Sequence, residues 1–463
     1  MKRRWIVSML LLGIVLGTLT GCSGANTRKD TGDPVSVVVW HYYSGRVKET
    51  FDNLVSRFNE TVGLEKGIVV TAESKGGVND LANAVIDAAE QKVGAEEMPT
   101  VFATYMDTAY TLYNMDMLAN LAPYFTQEEL DQFIPSFLEE GRIRDGELQV
   151  LPVAKSTELL YLNETDWQSF ADATGATLED LSTWEGLAKV SETYYNWSGG
   201  KAFFGRDAFP NYLIVGSRQL GKEIFAVKDG KAEIQLDEAV MRRLWDNYAA
   251  PYLKGYYAAY GRFRSDDVKT GDLIAFVGST SSIAYFPTEV TMENGSSYSI
   301  KGLPCMLPNF EGTQAFDVQQ GAGMAVAKSD EKTETAAVEF LKWLTAKEQN
   351  IDFSVGSGYC PVMKLDDSEQ VMSDALIASG VEKGSLPFEN GLLSMKTIQT
   401  STLYTSKPFD GGFDARNTLE EFMTAKLDSY RPQLEGLSAN ELDQALDALF
   451  QSWLADLNSA LQG

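Results

Sequence analysis

Between residues 35 and 118 the chain alternates strand-like runs with helix-like ones three times, and this alternation limits the fold more than any other feature. Val35-Ser36-Val37-Val38-Val39-Trp40 is rich in β-branched residues, with Gly32-Asp33-Pro34 before it and a turn at Ser44-Gly45 after it. Val47, Phe51, Leu54, Val55 and Phe58 then recur on one face of a helix. Residues 67–72 and 101–103 form two further apolar runs; helical patterns follow them through Leu81, Val85, Ile86 and Ala89, and towards Leu118. Strands joined by crossover helices pair in parallel. Ligands of such sheets bind beyond the carboxyl ends of the strands. The loops around His41, Ser74–Gly77 and Tyr105–Asp107 are therefore where a site is expected.

Further strands are expected at 148–153 and 158–162, and helices at 184–195, 238–248 and around Ala336, Phe340 and Leu344. The last helix is the clearest. Ser438 and Glu441 form a capping box, and Leu442, Leu446, Leu449, Phe450, Trp453 and Leu457 make an apolar stripe opposite Asp443, Asp447 and Asp456. No repeat of fixed period runs along the chain, which argues against solenoids and propellers.

Composition removes several kinds of chemistry. With 39 basic against 65 acidic side chains, the formal charge of −26 opposes binding to a phosphate backbone, so nucleic acid is not an expected partner. A single histidine, His41, disfavours most catalytic zinc sites, and three cysteines cannot supply the four thiolates of an iron–sulfur cluster. No metal and no cofactor is expected. A nucleophile elbow with a usable histidine, a phosphate-cradling loop and a dinucleotide fingerprint are all missing. Acidic pairs such as Glu139–Glu140 and Asp366–Asp367 leave a surface glycosidase open, since that chemistry needs only two carboxylates. In so acidic a chain, adjacent pairs arise by chance on solvated faces, and no catalytic residue is assigned.

The N-terminus carries Lys2, Arg3 and Arg4 before an uncharged stretch from Ile6 to Leu19, which is shorter than the ~20 apolar residues of a membrane span. Leu19-Thr20-Gly21-Cys22 then resembles a bacterial lipobox. The resemblance implies that residues 1–21 are a lipoprotein signal peptide and that Cys22 is lipidated after cleavage. Residues 22–34, Ser-, Gly- and Asp-containing and without apolar periodicity, read as a flexible tether. The expected location is the cell membrane, through the lipid anchor only, on its extracellular or periplasmic side. Cys305 and Cys360 are expected as two buried thiols, with a disulfide as the alternative.

Several stretches in order resemble bacterial extracellular solute-binding proteins of family 1, the binding lipoproteins of ABC importers. They are Val38-Val39-Trp40-His41-Tyr42, Met98-Pro99-Thr100-Val101, Leu151-Pro152-Val153-Ala154-Lys155-Ser156-Thr157-Glu158-Leu159-Leu160-Tyr161-Leu162-Asn163, Gly271-Asp272-Leu273-Ile274-Ala275-Phe276, Gly321-Ala322-Gly323-Met324-Ala325-Val326 and Gly358-Tyr359-Cys360-Pro361-Val362. The resemblance implies an α/β, two-lobed periplasmic-binding-protein-like fold of type II, with a ligand cleft between lobes joined by hinge strands. One lobe would take 34–153 plus 309–347, the other 154–308 plus 348–463, with hinge passages near 152–156, 307–310 and 345–350. It implies a monomer that captures a mono- or oligosaccharide by hinge closure and hands it to permease subunits.

The ligand-binding residues it implies are His41, Tyr42, Tyr105, Asp107, Ser156, Ser281, Gly321, Tyr359 and Tyr404. Aromatic faces and hydroxyls suit sugar rings, and a carboxylate can accept two sugar hydroxyls. Arg206, Asp207 and Phe209 could also reach the cleft. A glycerol-3-phosphate or phosphodiester ligand is the alternative. It is disfavoured because no phosphate-binding arginine can be placed, and because Met106 stands where glycerol-3-phosphate-binding relatives tend to have Glu.

Overall fold

The computed structural model describes residues 33–228 and 230–462; the signal segment, the lipobox Cys22 and the tether up to residue 32 lie outside them. Two mixed sheets organise the chain. The first runs in the order Ile68–Ser74, Val35–His41, Val101–Thr104, Gly323–Val326, Val150–Pro152. Its first three strands are parallel, as the alternation of strand and helix requires, whereas Gly323–Val326 returns antiparallel to both of its neighbours. The second sheet runs Gly302–Cys305, Glu158–Asn163, Ala275–Ser279, Phe204–Arg206, with only the last pair parallel.

Both faces of the first sheet are covered. Val37 and Val39 pack with Phe51, Leu54, Phe58, Phe340 and Leu341 on one side, and Trp40 and Phe102 with Leu81, Val85 and Leu112 on the other. The helix Gly45–Glu60 buries Val47, Phe51, Leu54, Val55 and Phe58, the face that its periodicity predicts. In the second lobe Leu160 and Leu162 lie over a core of Trp184, Phe204, Tyr212 and Trp245, which the terminal helix Ala439–Gln462 seals with Phe450, Trp453 and Leu457.

The lobes meet where three passages of chain lie side by side. Ser156 and Gln320 exchange two main-chain hydrogen bonds, at 2.9 and 3.0 Å, and the Cys360 N–H donates to Lys155 O at 2.6 Å. The second and third passages thus lie further along the chain than the resemblance implies. Leu307 and Phe310 belong to the second lobe's core, so the chain crosses only at about Gln319–Gly321. The helix Lys347–Ser357 stays with the first lobe through Phe353, and so does Val362; Lys364 N–H still donates to Gln132 O at 2.7 Å, which moves the third crossing beyond Lys364.

Gly321 sits at this junction with φ +93°, and a Cβ there would lie 2.5 Å from Ala154 O and 3.1 Å from Ser156 N. Its carbonyl accepts from Lys155 Nζ at 2.7 Å. Gly321→Ala is expected to destabilise the protein by about 1–3 kcal/mol through left-handed strain and loss of this approach. Urea unfolding checks it, and an unchanged midpoint contradicts it.

Cys305 and Cys360 are separate thiols. Burial pushes Cys305 up to about 11 and Cys360 up to about 12, so neither is a reactive thiolate at neutral pH.

Candidate ligand-binding site

A cleft of about 610 Å³ opens between the lobes at the carboxyl ends of the parallel strands. Val35–His41 leads into Tyr42, and Val101–Thr104 into Tyr105 and into Asp107 in the first turn of the helix Met106–Asn114. All three side chains line the cleft. Opposite stand Pro210 and Asn211 from the start of the helix Phe209–Gln219, Phe263, and the outer face of the helix Gly412–Met423; Val318, Gln319 and Gln320 form the base. A second compartment of about 700 Å³ shares Met106, Glu140, Gln319, Thr405 and Ser406 with the first and adds Tyr404. Each compartment falls in the size range of pockets that bury small organic ligands.

The wall of the first lobe is aromatic and hydroxylated. The rings of Tyr42 and Tyr105 lie 6.3 Å apart, inclined at 27° to each other, and the hydroxyls of Tyr42 and Tyr359 are 3.2 Å apart. Burial drives all three phenols upward, so they remain neutral donors and acceptors. Asp107 is also raised by burial; the nearby guanidinium of Arg416 opposes that rise, and Glu140 adds to it. Glu140 itself is held by Lys155 Nζ at 2.8 Å and by the amide of Gln319.

On the opposite wall Phe413, Arg416, Asn417 and Glu420 fall at i, i+3, i+4 and i+7 of one helix, while Leu419, Phe422 and Met423 face the core. Among the described residues Arg416 pairs with no carboxylate, and it donates to Asn211 Oδ1 at 2.9 Å. Arg416 is thus an arginine on the cleft wall that reading the sequence did not place there. The signal was the polar, aromatic stripe of this helix, set opposite an equally regular apolar one. Asn211 and Glu140 carry no such signal, because burial and proximity alone bring them to the cleft.

Residues 53–378 match the family model described as bacterial extracellular solute-binding protein. The chain belongs to that family. No curated protein matches the sequence of this solute-binding protein significantly. Among solved structures it is similar to the cyclic alpha-maltosyl-1,6-maltose binding protein of Arthrobacter globiformis, at 18% identity and TM-score 0.66 over 92% of this chain and 99% of that one. UgpB of Mycobacterium tuberculosis, in complex with glycerophosphocholine, gives 18% identity and TM-score 0.67 over 93% and 99%. An ABC substrate-binding protein of Listeria monocytogenes, in complex with cycloalternan, gives 12% and 0.65 over 92% and 100%. At these identities the likeness establishes the two-lobed fold. The family and these relatives are binding proteins.

The remaining expected site residues of this solute-binding protein lie elsewhere. His41 is wholly buried, with its ring 5.0 Å from that of Tyr43 and 5.1 Å from that of Phe51. Strand parity explains the correction: Val37, Val39 and His41 point to one face, and that face is the core. Ser156 and Gly321 are packed into the junction between the lobes, not onto a cleft wall. Ser281 pairs with Ser279 Oγ at 2.9 Å, in the turn Thr280–Tyr285, and lines neither compartment. Tyr359 meets the site through Tyr42 and stacks on Phe353 at 6.1 Å. Of the residues that could also reach the cleft, Arg206 and Asp207 line a crevice behind Phe263.

Desolvation lowers the pKa of His41 from 6.5 to about 4, and its Nδ1 accepts from the Tyr43 N–H at 3.0 Å. The native state therefore binds its proton later than the unfolded chain does. The contribution is complete above pH 6.5 and is lost as pH falls towards 4. It amounts to about 3 kcal/mol at its limit. His41→Phe is expected to flatten the acid side of the stability profile, compared by urea unfolding at pH 7 and 4.5. Equal slopes in both proteins contradict this.

Proposed function

We propose that this protein captures a carbohydrate, a mono- or oligosaccharide, between its lobes and delivers it to the permease of an ABC importer. The observation that carries this reading is the convergence of Tyr42, Tyr105 and Asp107 from one lobe upon Phe413, Arg416 and Asn417 from the other. Stacked rings suit the apolar faces of sugars, and the carboxylate and guanidinium suit their hydroxyls. Because ligand groups come from both lobes, binding favours the closed arrangement by its differential affinity for it. The passages at Lys155–Ser156 and Gln319–Gly321, with the chain just beyond Lys364, are the proposed hinge. The protein acts as a monomer, tethered by lipid on Cys22 to the outer face of the cell membrane and exposed to the extracellular or periplasmic side.

Arg416 favours a second reading, a glycerophosphodiester. A guanidinium without a carboxylate partner can take a phosphate in two parallel hydrogen bonds. The relative that holds glycerophosphocholine makes that molecule a natural probe.

The test is a thermal-shift screen of the tether-free body against mono- and oligosaccharides, polyols and glycerophosphocholine. A ligand at a hundred times its Kd adds about 2.7 kcal/mol, which raises the midpoint by a few degrees. A shift with a sugar supports the first reading and a shift with glycerophosphocholine alone supports the second. Release of a sugar fragment during incubation argues instead for a surface glycosidase.

A further inference from the structure

Arg416 is the outermost link of a buried polar chain. Glu158, 2% exposed, occupies the other end. Its Oε2 accepts from Arg206 Nη2 at 2.7 Å and its Oε1 accepts from Asn211 Nδ2 at 2.8 Å. An amide whose NH₂ faces a carboxylate cannot turn over without setting oxygen against oxygen. The carbonyl of Asn211 is thus fixed towards Arg416, whose Nη2 donates to it at 2.9 Å. Asn211 Nδ2 also reaches Gln320 Oε1, at 3.1 Å, on the passage that crosses between the lobes. Arg206 in turn is held beneath the rings of Trp184 and Tyr212, at 5.9 and 5.5 Å.

Left to itself, Arg416 has two carboxylates to collapse upon. Asp107 and Glu420 line the same cleft and both feel its charge. Neither makes an ion pair with it in this structure, where its partner is the neutral Asn211. We propose that Glu158 and Asn211 are positioning residues that hold Arg416 off Asp107 and Glu420, leaving its other N–H groups free for the oxygen atoms of the bound ligand. The proposal rests on the reading of this cleft as the ligand site. Glu158 touches neither compartment, so its part is played entirely through Asn211.

Asn211→Leu removes the amide at similar volume, and Glu158→Gln keeps the shape but turns an NH₂ towards Asn211, inverting its amide. Two measurements test the arrangement. In the ligand-free protein, ¹⁵N relaxation of the Arg416 side chain is expected to show an ordered guanidinium that becomes mobile or relocates in both variants. With maltotriose and glycerophosphocholine as probes, Asn211→Leu and Arg416→Ala should each weaken the tighter-binding one about tenfold, with the double variant no weaker than either single one. Additive losses, or an Arg416 unchanged in Asn211→Leu, overturn the proposal. If neither probe nor any other sugar binds the wild type, the reading of the cleft fails, while the relaxation measurement still decides whether Asn211 orders Arg416.

Discussion

Replacing Arg206 by Met is expected to lower the unfolding free energy by about 3–5 kcal/mol, among the largest losses available to a single substitution here. Arg206 and Glu158 are 1% and 2% exposed and lie 2.7 Å apart. Removing the cation leaves a carboxylate in the protein interior with only the Asn211 amide to offset its lost hydration. The pair as a whole is another matter. Replacing both by apolar residues, as in Glu158→Leu with Arg206→Met, should recover most of the loss, because no uncompensated charge remains. Urea unfolding at pH 7 of the two variants checks both statements. A single variant within about 1 kcal/mol of the wild type contradicts the first, since a broken buried pair lies well outside that range.

Asp107→Ala should act on binding in place of stability. A hydrogen bond to a charged acceptor contributes about 1.5–3 kcal/mol, so affinity for the ligand found by screening should fall about 10- to 100-fold. Thermal stability without ligand should hold or rise slightly, because a desolvated carboxyl has been removed. Burial has raised the pKa of Asp107, so its carboxylate form, the better acceptor, is depleted as pH falls towards that raised value. Wild-type affinity should accordingly weaken between pH 7 and pH 4.5 more steeply than that of Asp107→Asn. Calorimetric titration at both pH values provides the comparison, and a Kd unchanged within twofold in Asp107→Ala removes this residue from the site.

Much of the first lobe is legible because its strands and helices have different periods. The same property places Tyr42, Tyr105 and Asp107 where parallel strands end, and all three line the cleft. His41 shows what is lost when position along a strand is considered without parity: alternation already assigns it to the side of Val37 and Val39. The second wall is harder to read, since Asn211, Phe263 and Arg416 come from three separated segments brought together only by tertiary packing. The crossings between lobes shifted for a similar reason. Phe310 and Phe353 are apolar residues that either core could have taken, and nothing local to them favours one lobe.

The strand order of the first sheet also governs when this protein can fold. Val150–Pro152 is an edge strand whose one sheet neighbour is Gly323–Val326. That neighbour also completes the edge of Val101–Thr104. A nascent chain that has emerged only as far as the second lobe therefore has a three-stranded fragment with an open edge, and its fourth and fifth strands cannot join until residue 326 is available. Pairing across so long a separation is slow, because loop closure must precede the contacts that reward it. The first sheet therefore closes late in folding, only once residues 35 to 326 are all present, and until then the second sheet can form beside an incomplete first one.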